Sequence, residues 1–412
     1  MRNQRSAIAA LGHKFRTKNI SKRVQRMVMS PIKEMSLLAA RLQEEQGVRD
    51  IISFGQGIPY FDTPGYIKEG IRKALEKKST ARYTLEPGIT ELRELIARDL
   101  EQRKEIAPID AKKEVMVSTG CQEAMACVLA TVLDEGDEIL ILSPAFPSHI
   151  EQTLEFGGIP VFVPFVEKEA WRFDPNLVKA KMTAKTKAIL FSHPCNPTGT
   201  VLSKEDLTAL GKIAKEHDVM IISDETYDFL TYEGVKHISP ASFVELRDRV
   251  ILCGSFSKKY ALTGYRVGYC LAQAGIMDHI LKVHDALAIC APAISQEAAI
   301  TALKGTQDSV REFVEKLTFN RELICKKLDE LKDLFEYEKP QGAYYVFARY
   351  KIPMTSLEFA LKILYETHVI TIPGIAFGAT GQGHLRFSFG CSPEDIQEGF
   401  QRLLKWSKTL SF

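Results

Sequence analysis

Residues 218–224 read DVMIISD, a run that is apolar almost throughout and ends on an acidic residue. Two runs of the same kind flank it, KAILFSH at 187–193 and RVILCGS at 249–255, so the three begin 31 residues apart. Strands that are buried on both faces carry such continuous apolar runs, whereas half-exposed strands alternate. A spacing of about 30 residues is that of a strand–helix–strand crossover. This stretch therefore predicts parallel strands joined by helices.

The same pattern extends towards the N-terminus, and it changes after about residue 300. Three more apolar runs precede the central ones: EVMVSTG (114–120), DEILILS (137–143) and IPVFVPF (159–165). Towards the C-terminus, strand-like GAYYVFARY (342–350) and HLRFSFG (384–390) surround helical SLEFALKILYE (356–366). We therefore predict an α/β protein, with a mostly parallel sheet covered by helices on both faces and a smaller α+β domain.

The composition excludes several classes of protein. The chain has 412 residues and a formal net charge of +2, and its 45% apolar and 26% charged residues are ordinary for a soluble globular protein. Such a balance of charge offers no broad basic face for nucleic acid and no attraction to a membrane surface. The apolar runs are far shorter than the ~20 residues that span a bilayer. We therefore expect no nucleic acid and no membrane as partner.

Eight cysteines and nine histidines are scattered through the chain. They include no C-x-x-C pair and no metal-ligand spacing, so the sequence predicts no metal site. Several cysteines lie inside apolar runs, which favours reduced thiols in a cytoplasmic protein.

The N-terminal segment differs in composition from the rest. Residues 1–30 carry eight Lys or Arg, and the first acidic residue is Glu34. A mobile basic arm at 1–29 is the simpler interpretation, and a cleaved mitochondrial transit peptide stays open. Ser30 and Pro31 are typical of a helix start and Gly47 of a helix end.

We expect the helix that begins near residue 30 to pack on the smaller domain. The predicted organisation is therefore a basic arm (1–29), a small domain formed by 30–60 with 301–412, and a large domain at 61–300.

Polar and aromatic residues follow the ends of five predicted strands. They are Gly120, Phe146, Asn196, Asp224 with Tyr227, and Lys258. In open parallel sheets, ligands bind beyond the carboxyl ends of the strands. A helix N-terminus after a glycine binds phosphate, a carboxylate can keep a pyridine nitrogen protonated, and a lysine forms Schiff bases. These residues predict a site for a phosphorylated, aromatic, carbonyl-bearing cofactor.

Four motifs in sequence order resemble the fold-type-I pyridoxal-phosphate-dependent aminotransferases of class I/II. They are NPTG (196–199), DETY (224–227), SFSKKYALTGYRVGY (255–269) and PGIAFG with HLRFSFG (373–390). Each is weak alone, and their order and spacing make the resemblance specific. It implies pyridoxal 5'-phosphate as cofactor and a large domain with a seven-stranded type of sheet.

The resemblance implies a role for each matched residue. Lys258 would form the Schiff base, Asp224 would pair with the pyridine nitrogen, and Asn196 and Tyr227 would bind the ring hydroxyl. The implied phosphate-binding residues are Gly120, Cys121, Gln122, Ser255, Ser257 and Arg266, and Phe146 would stack on the ring. Arg386, Asn196 and the Gly57 backbone would hold the substrate α-carboxylate. Tyr83 would reach the phosphate of a neighbouring subunit, which implies a homodimer with shared active sites.

The motif S-x-S-K selects Lys258 over its neighbour Lys259, which we expect to be solvated or close to the phosphate. The implied reaction is a ping-pong transfer of an amino group between an L-amino acid and a 2-oxo acid. Gln122 is neutral where many related aspartate aminotransferases carry a lysine, which favours a neutral or aromatic donor over an acidic one. Tyr60, Phe61 and Phe377 are candidates to line its side-chain pocket.

Two alternatives keep the fold and change the outcome. A carbon–sulfur lyase or another elimination enzyme would use the same cofactor and lysine. A non-enzymatic regulator on this fold would need an added DNA-binding domain, for which residues 1–29 are too few.

Overall fold

The structure is a computed structural model, and it describes residues 20–410. The helices within this range are α1 (Lys22–Arg26), α2 (Pro31–Gln46), α3 (Gly65–Leu75), α4 (Thr90–Lys104), α5 (Ala111–Glu114), α6 (Cys121–Val132), α7 (Pro147–Glu155), α8 (Pro175–Lys181), α9 (Lys204–Glu216), α10 (Ala274–Ala288), α11 (Ala293–Lys304), α12 (Asp308–Asp329), α13 (Ser356–Thr367) and α14 (Pro393–Ser407). The strands are β1 (Ile52–Ser53), β2 (Val115–Ser118), β3 (Glu138–Ser143), β4 (Ile159–Pro164), β5 (Thr186–Ser192), β6 (Met220–Asp224), β7 (Val250–Ser255), β8 (Gly268–Leu271), β9 (Phe335–Tyr337), β10 (Tyr345–Tyr350), β11 (Val369–Ile370), β12 (Ile372–Pro373) and β13 (His384–Ser388).

The large sheet has seven strands in the order β2-β8-β7-β6-β5-β3-β4. All six strands predicted from apolar runs are present. Five consecutive strands of this order pair in parallel, namely β7, β6, β5, β3 and β4. The seventh strand, β8, is antiparallel to β7 and β2 on either side. Sequence analysis missed β8 because it begins on a glycine, which weakens any strand pattern; β2 has the same length but no glycine.

Both faces of this sheet are buried, as the continuous apolar runs predicted. Alternate side chains of a strand point to opposite faces, and neighbouring residues therefore enter different cores. Ile221 belongs to one fully buried cluster and Ile222 to another, and the same holds for Leu252 and Ile251. Helices α6 and α10 pack together against the second cluster. The predicted fold class is confirmed.

A second sheet of four antiparallel strands has the order β12-β13-β10-β9. Beside it, β1 pairs in parallel with β11, so a segment near residue 52 meets one near residue 369. Helix α2 packs against β11 and β12, as expected for the smaller unit. Its C-cap is Gly47, as predicted, with φ of +67°.

The predicted domain division at 60/61 and 300/301 stays a prediction. Helix α11 runs without a break through residues 300 and 301 and packs on α3 and α4. Of the predicted basic arm, residues 1–19 lie outside the described residues. The remainder is not a free arm, because α1 packs on α7 and the Val28 N–H donates to Glu151 Oε2 over 2.9 Å. In the described part of the chain, none of the helices has the length and apolar character to cross a membrane.

Candidate active site

Lys258 lies three residues beyond the end of β7, in a turn braced by the Ser257 N–H, which donates to Ser255 Oγ over 3.1 Å. Its Nζ donates to the carbonyl oxygen of Gly57. Burial lowers the pKa of Lys258 to about 8, and the positive charges of Arg386 and Arg266 act in the same direction. The amine is therefore far easier to deprotonate than an exposed lysine.

Lys259 differs from its predicted environment. Its side chain is buried, its Nζ lies 3.5 Å from Asp99 Oδ1, and it packs over the ring of Tyr260. The expectation of a solvated charge is wrong, because adjacent side chains diverge and this one points to helix α4, whereas its proximity to the phosphate stays a prediction. The prediction that only one of the two lysines enters the site agrees with this geometry.

Asp224 is the last residue of β6 and is buried. His149 Nε2 lies 3.1 Å from its Oδ2, and Thr226 donates to its Oδ1 from the backbone N–H (3.1 Å) and the hydroxyl (2.7 Å). Burial alone would raise the pKa of Asp224, and the bonds from His149 and Thr226 outweigh it, so the pKa is lowered. The result is a buried, ionised carboxylate.

A cluster of three tyrosines lies beside Lys258. Tyr227 Oη is 2.5 Å from Tyr345 Oη, and the Tyr344 hydroxyl donates to the same Gly57 carbonyl that Lys258 contacts, over 2.6 Å. Burial raises the pKa of Tyr227 well above its usual value, so it stays a neutral donor. A side chain at Gly57 would place Cβ 2.1 Å from Tyr345 Oη, so only glycine fits there.

Arg386 lies on β13 with 1% of its surface exposed. Its guanidinium donates to Asn196 Oδ1 over 3.0 Å and to the Gly55 carbonyl over 2.5 Å, and it stacks over the rings of Tyr345 and Phe377. No carboxylate of the described residues forms an ion pair with it, and its Nε has no hydrogen-bond partner among them. A buried cation without a counter-ion is costly, which suits a site for an anionic ligand.

The N-terminus of α6 follows Gly120, as predicted. Gly120 has φ of +77°, and a Cβ there would come within 2.4 Å of Arg266 Nη2, so the guanidinium lies directly against this turn. Cys121 begins the helix, and the Gln122 side chain is exposed. Backbone N–H groups and an arginine fork together can bind a phosphate.

Phe146 also lies close to Asp224. It is half-buried, and its ring packs edge-to-face against His149, the hydrogen-bond partner of Asp224, with 5.7 Å between the ring centres. Tyr83 lies elsewhere: its side chain is 79% exposed, and in the described part of the chain no hydrogen bond or ring contact joins it to the other site residues.

The three residues predicted to line the pocket for the substrate side chain lie in different surroundings. Phe377 lies under Arg386, whereas Phe61 stacks on Phe313 of α12 with ring centres 3.9 Å apart. Tyr60 is 40% exposed and packs on Phe61.

Sequence reasoning missed several residues of this site. Tyr344 and Tyr345 were read only as part of a strand, and the histidines were read only for metal spacing, so His149 was overlooked. The pair of tyrosines after Gly342-Ala343 was the one available signal. His149 gave none, because only the pairing of β3, β5 and β6 brings α7 against Asp224.

A buried polar cluster lies between α6 and α10. Glu123, Cys127 and His284 offer ligand atoms that all lie within 4.8 Å of one another. Cys127 Sγ donates to Glu123 Oε1 over 2.8 Å, and His284 Nδ1 is 2.7 Å from the same oxygen. Sequence spacing could not reveal this group, because His284 is distant in the chain. Glu123 Oε1 thus joins the other two side chains, whereas His284 Nε2 is buried without a hydrogen-bond partner among the described residues.

Comparison with known proteins agrees with this geometry. Residues 49–403 match the family model for aminotransferase class I and II. The chain is 39% identical over 362 residues to an aspartate aminotransferase of Pyrococcus abyssi, covering 87% of this chain and 92% of that protein. It is 36% identical over 389 residues to the aromatic-amino-acid aminotransferase 2 of Thermococcus litoralis, covering 94% and 97%.

A solved structure is also similar over almost the whole chain. Alanine aminotransferase from Pyrococcus furiosus superposes with a TM-score of 0.88 at 33% identity, covering 95% of this chain and 100% of that one. The resemblance seen in the sequence motifs is confirmed, and the chain belongs to the class I and II aminotransferase family.

Proposed function

We propose that this chain uses pyridoxal phosphate to move an amino group between a neutral or aromatic L-amino acid and a 2-oxo acid. One observation carries the proposal: a buried amine, Lys258, with a pKa of about 8, close to a buried guanidinium, Arg386, that lacks an acidic partner among the described residues. Such an amine suits condensation with an aldehyde, and such a guanidinium suits an α-carboxylate.

The residues present fit the phosphate of this cofactor. The first turn of α6 and the guanidinium of Arg266 lie together around Gly120; Ser255 ends strand β7, and Ser257 follows two residues later. We assign the phosphate to this group, with the N–H groups of Cys121 and Gln122 as backbone donors.

The residues also fit the ring. The ionised carboxylate of Asp224 would hold a protonated ring nitrogen, and the neutral hydroxyl of Tyr227 would donate to the ring oxygen, assisted by Asn196. Phe146 is half-buried beside Asp224 and supplies the stacking face. When bound, the cofactor supplies an aldehyde that condenses with amines and a ring that accepts the electron pair of the substrate α-carbon.

Two further residues would bind the substrate and transfer its proton. Arg386 would hold the α-carboxylate by a two-pronged contact, with Asn196 keeping the guanidinium in place over 3.0 Å. Lys258 would carry the α-proton on Nζ, since a base with a pKa of about 8 exchanges protons efficiently near neutral pH.

The preference for a neutral or aromatic donor rests on the surroundings of the helix start. Gln122 is exposed and uncharged, so it would not attract a second carboxylate. The tyrosine cluster around Tyr227 and Tyr345 adds aromatic surface close to Arg386. The relative from Thermococcus litoralis is named for aromatic amino acids, and the one from Pyrococcus abyssi for aspartate.

A test of the lysine uses borohydride reduction followed by peptide mass mapping. With pyridoxal phosphate bound, the reduced cofactor should be found on the peptide that contains Lys258, and Lys258→Ala should carry none. The matched control, Lys259→Met, should keep the label and the visible absorbance. Label retained on Lys258→Ala and lost from Lys259→Met would overturn the assignment.

A test of the reaction offers the twenty amino acids with 2-oxoglutarate or pyruvate as acceptor. We expect 2-oxo acid products and the highest kcat/KM for neutral or aromatic donors. Release of ammonia with pyruvate, without transfer, would instead indicate an elimination enzyme. Aspartate and glutamate as the best donors would contradict the donor assignment only.

We also propose a homodimer with shared sites and a cytoplasmic location. The exposed Tyr83 and the equally exposed Leu85 support the first, because large apolar side chains at a surface mark contact sites. The eight cysteines, all free, support a reducing compartment.

A further inference from the structure

The two oxygens of the Asp224 carboxylate accept different numbers of hydrogen bonds. Oδ1 accepts from the Thr226 N–H at 3.1 Å, from the Thr226 hydroxyl at 2.7 Å, and from the Cys121 thiol at 3.7 Å. Oδ2 has a single hydrogen-bond partner among the described residues, His149 Nε2 at 3.1 Å. An ionised carboxylate oxygen has about two lone-pair sites, so Oδ1 is saturated and Oδ2 has capacity left.

We propose that the Thr226 hydroxyl and the Cys121 thiol are positioning residues that occupy Oδ1 of Asp224 and so leave Oδ2 as the oxygen that accepts the ring N–H of the cofactor. This inference rests on the proposed function and adds two side chains to it. Neither side chain touches the reacting atoms, and both act through Asp224.

The two donors come from different parts of the chain. Thr226 follows Asp224 by two residues, and its backbone and side chain hold the carboxylate from the loop after β6. Cys121 begins α6, so one residue offers its backbone at the phosphate-binding turn and its side chain to the acid. Cys121 therefore couples the position of the phosphate end of the site to that of the ring end.

The thiol is suited to this role because it stays protonated. The contact with Cys253, together with burial and the charge of Asp224, raises the pKa of Cys121 well above its usual value. A neutral thiol is a weak donor and a hydroxyl is a stronger one. We therefore expect Thr226 to contribute more than Cys121.

The proposal predicts a loss that depends on the ring nitrogen. A freed Oδ1 lets the carboxylate turn, which weakens its bond to the ring N–H and leaves the phosphate contacts unchanged. Thr226→Val should raise the Kd of the apoprotein for pyridoxal phosphate by about fivefold, and Cys121→Ala by about twofold. Thr226→Ser keeps the hydroxyl and should restore the affinity.

The discriminating probe is the cofactor analogue with carbon in place of the ring nitrogen, which has no N–H to offer. Its Kd, measured by absorbance titration, should be the same for the wild type and for Thr226→Val. Buried matched controls are Thr367→Val, whose hydroxyl bonds to Ile363 inside α13, and Cys325→Ala in α12. Both should leave the affinity for either cofactor unchanged.

Each outcome is decisive. An equal loss of affinity for both cofactors in Thr226→Val would show that Thr226 supports only the shape of the site. No loss of affinity for either cofactor would show that Thr226 does not act on the site. Either result would overturn the proposal. Thermal unfolding of each variant shows that it is folded before titration. A wild-type protein that binds neither cofactor would refute the proposed function instead, since the comparison of variants would then not arise.

Discussion

At the scale of single residues, the site depends on charges that have been taken out of water. Lys258 and Arg386 are both buried, and burial and the charge of Arg386 lower the pKa of Lys258. The nearby carboxylate, Asp224, is held by neutral donors and by His149, and its charge acts on Lys258 in the opposite direction to that of the arginines. Lys104 and Lys259 are buried as well, but each pairs with a carboxylate, whereas Lys258 combines burial with two neighbouring guanidinium groups.

The lowered pKa predicts how the free amine reacts. In the apoprotein, the rate of covalent capture by pyridoxal, followed by borohydride, should rise with pH and level off, with a midpoint near the pKa of about 8. Only the neutral amine attacks an aldehyde, so the reactive fraction grows as pH passes that value. Pyridoxal lacks the phosphate, so binding to Arg266 does not complicate the rate.

Arg266→Gln tests the cause of this shift. Removing a nearby positive charge stabilises the ammonium form and should move the midpoint to higher pH. Lys259→Met serves as the control and should leave the midpoint in place. A midpoint above pH 10 in the wild type would contradict the buried environment described for Lys258.

At the scale of elements, helix α4 is tied to the loop after β6 by buried ion pairs. Lys104 Nζ lies 2.6 Å from both Glu225 Oε2 and Asp228 Oδ2. Arg103 contacts Asp228 at 3.0 Å, and the same helix reaches Lys259 through Asp99. The loop that carries the proposed ring-binding residues is therefore held by charges of α4 and by Asp228, which lie outside the sequence motifs.

Lys104→Met should destabilise the protein strongly. It leaves the Glu225 carboxylate buried without its lysine and Asp228 with Arg103 alone, and breaking such a buried pair typically costs about 3–5 kcal/mol of unfolding free energy. The control is Lys77→Met, which removes a partly exposed pair with Glu297 and should cost less than about 1 kcal/mol. Denaturant unfolding compares the two, and equal losses would show that the buried pairs add nothing special.

At the scale of the whole molecule, one of the contacts between the two sheets is made by a carboxylate. Glu167 follows β4 and accepts hydrogen bonds from Arg349 on β10 and from His384 Nε2 on β13, the latter over 2.7 Å. Burial opposes ionisation, and the bonds from His384 and Arg349 outweigh it, lowering the pKa of Glu167 to about 2.

The stability that Glu167 contributes should depend on pH. A carboxyl whose folded pKa is depressed stabilises the fold above its unfolded pKa, near 4.5, and loses that contribution as pH falls towards about 2. Glu167→Gln should therefore flatten the pH dependence of the unfolding free energy between these limits by up to ~3 kcal/mol. Parallel pH profiles for the wild type and the variant would contradict the contact.

The proposed homodimer makes a prediction about mixtures. The two variant proteins, Lys258→Ala and Tyr83→Ala, are mixed in equal amounts, unfolded and refolded. Activity is then measured at a cofactor concentration too low to occupy the sites of Tyr83→Ala alone. If Tyr83 serves the partner's site, half of the dimers are hybrids with one intact site, and about a quarter of wild-type activity returns. A mixture of Lys258→Ala with Lys258→Met has no intact site and should stay inactive. No gain in the first mixture would place Tyr83 outside a shared site.

The sequence by itself determined six strands of the large sheet, the α/β class and the family, and it indicated Lys258 as the candidate for the reactive lysine. These signals are local: an apolar run marks a buried strand, and a short motif carries its own spacing. The tertiary structure decided the remainder, including the inserted strand β8, the burial of Lys259, and the placement of Tyr345 and His149 in the site. Burial and charge pairing depend on which distant segments meet, and no local pattern records that. For the same reason Cys121 was predicted as a phosphate-binding backbone position, whereas its side chain proved to lie on Asp224.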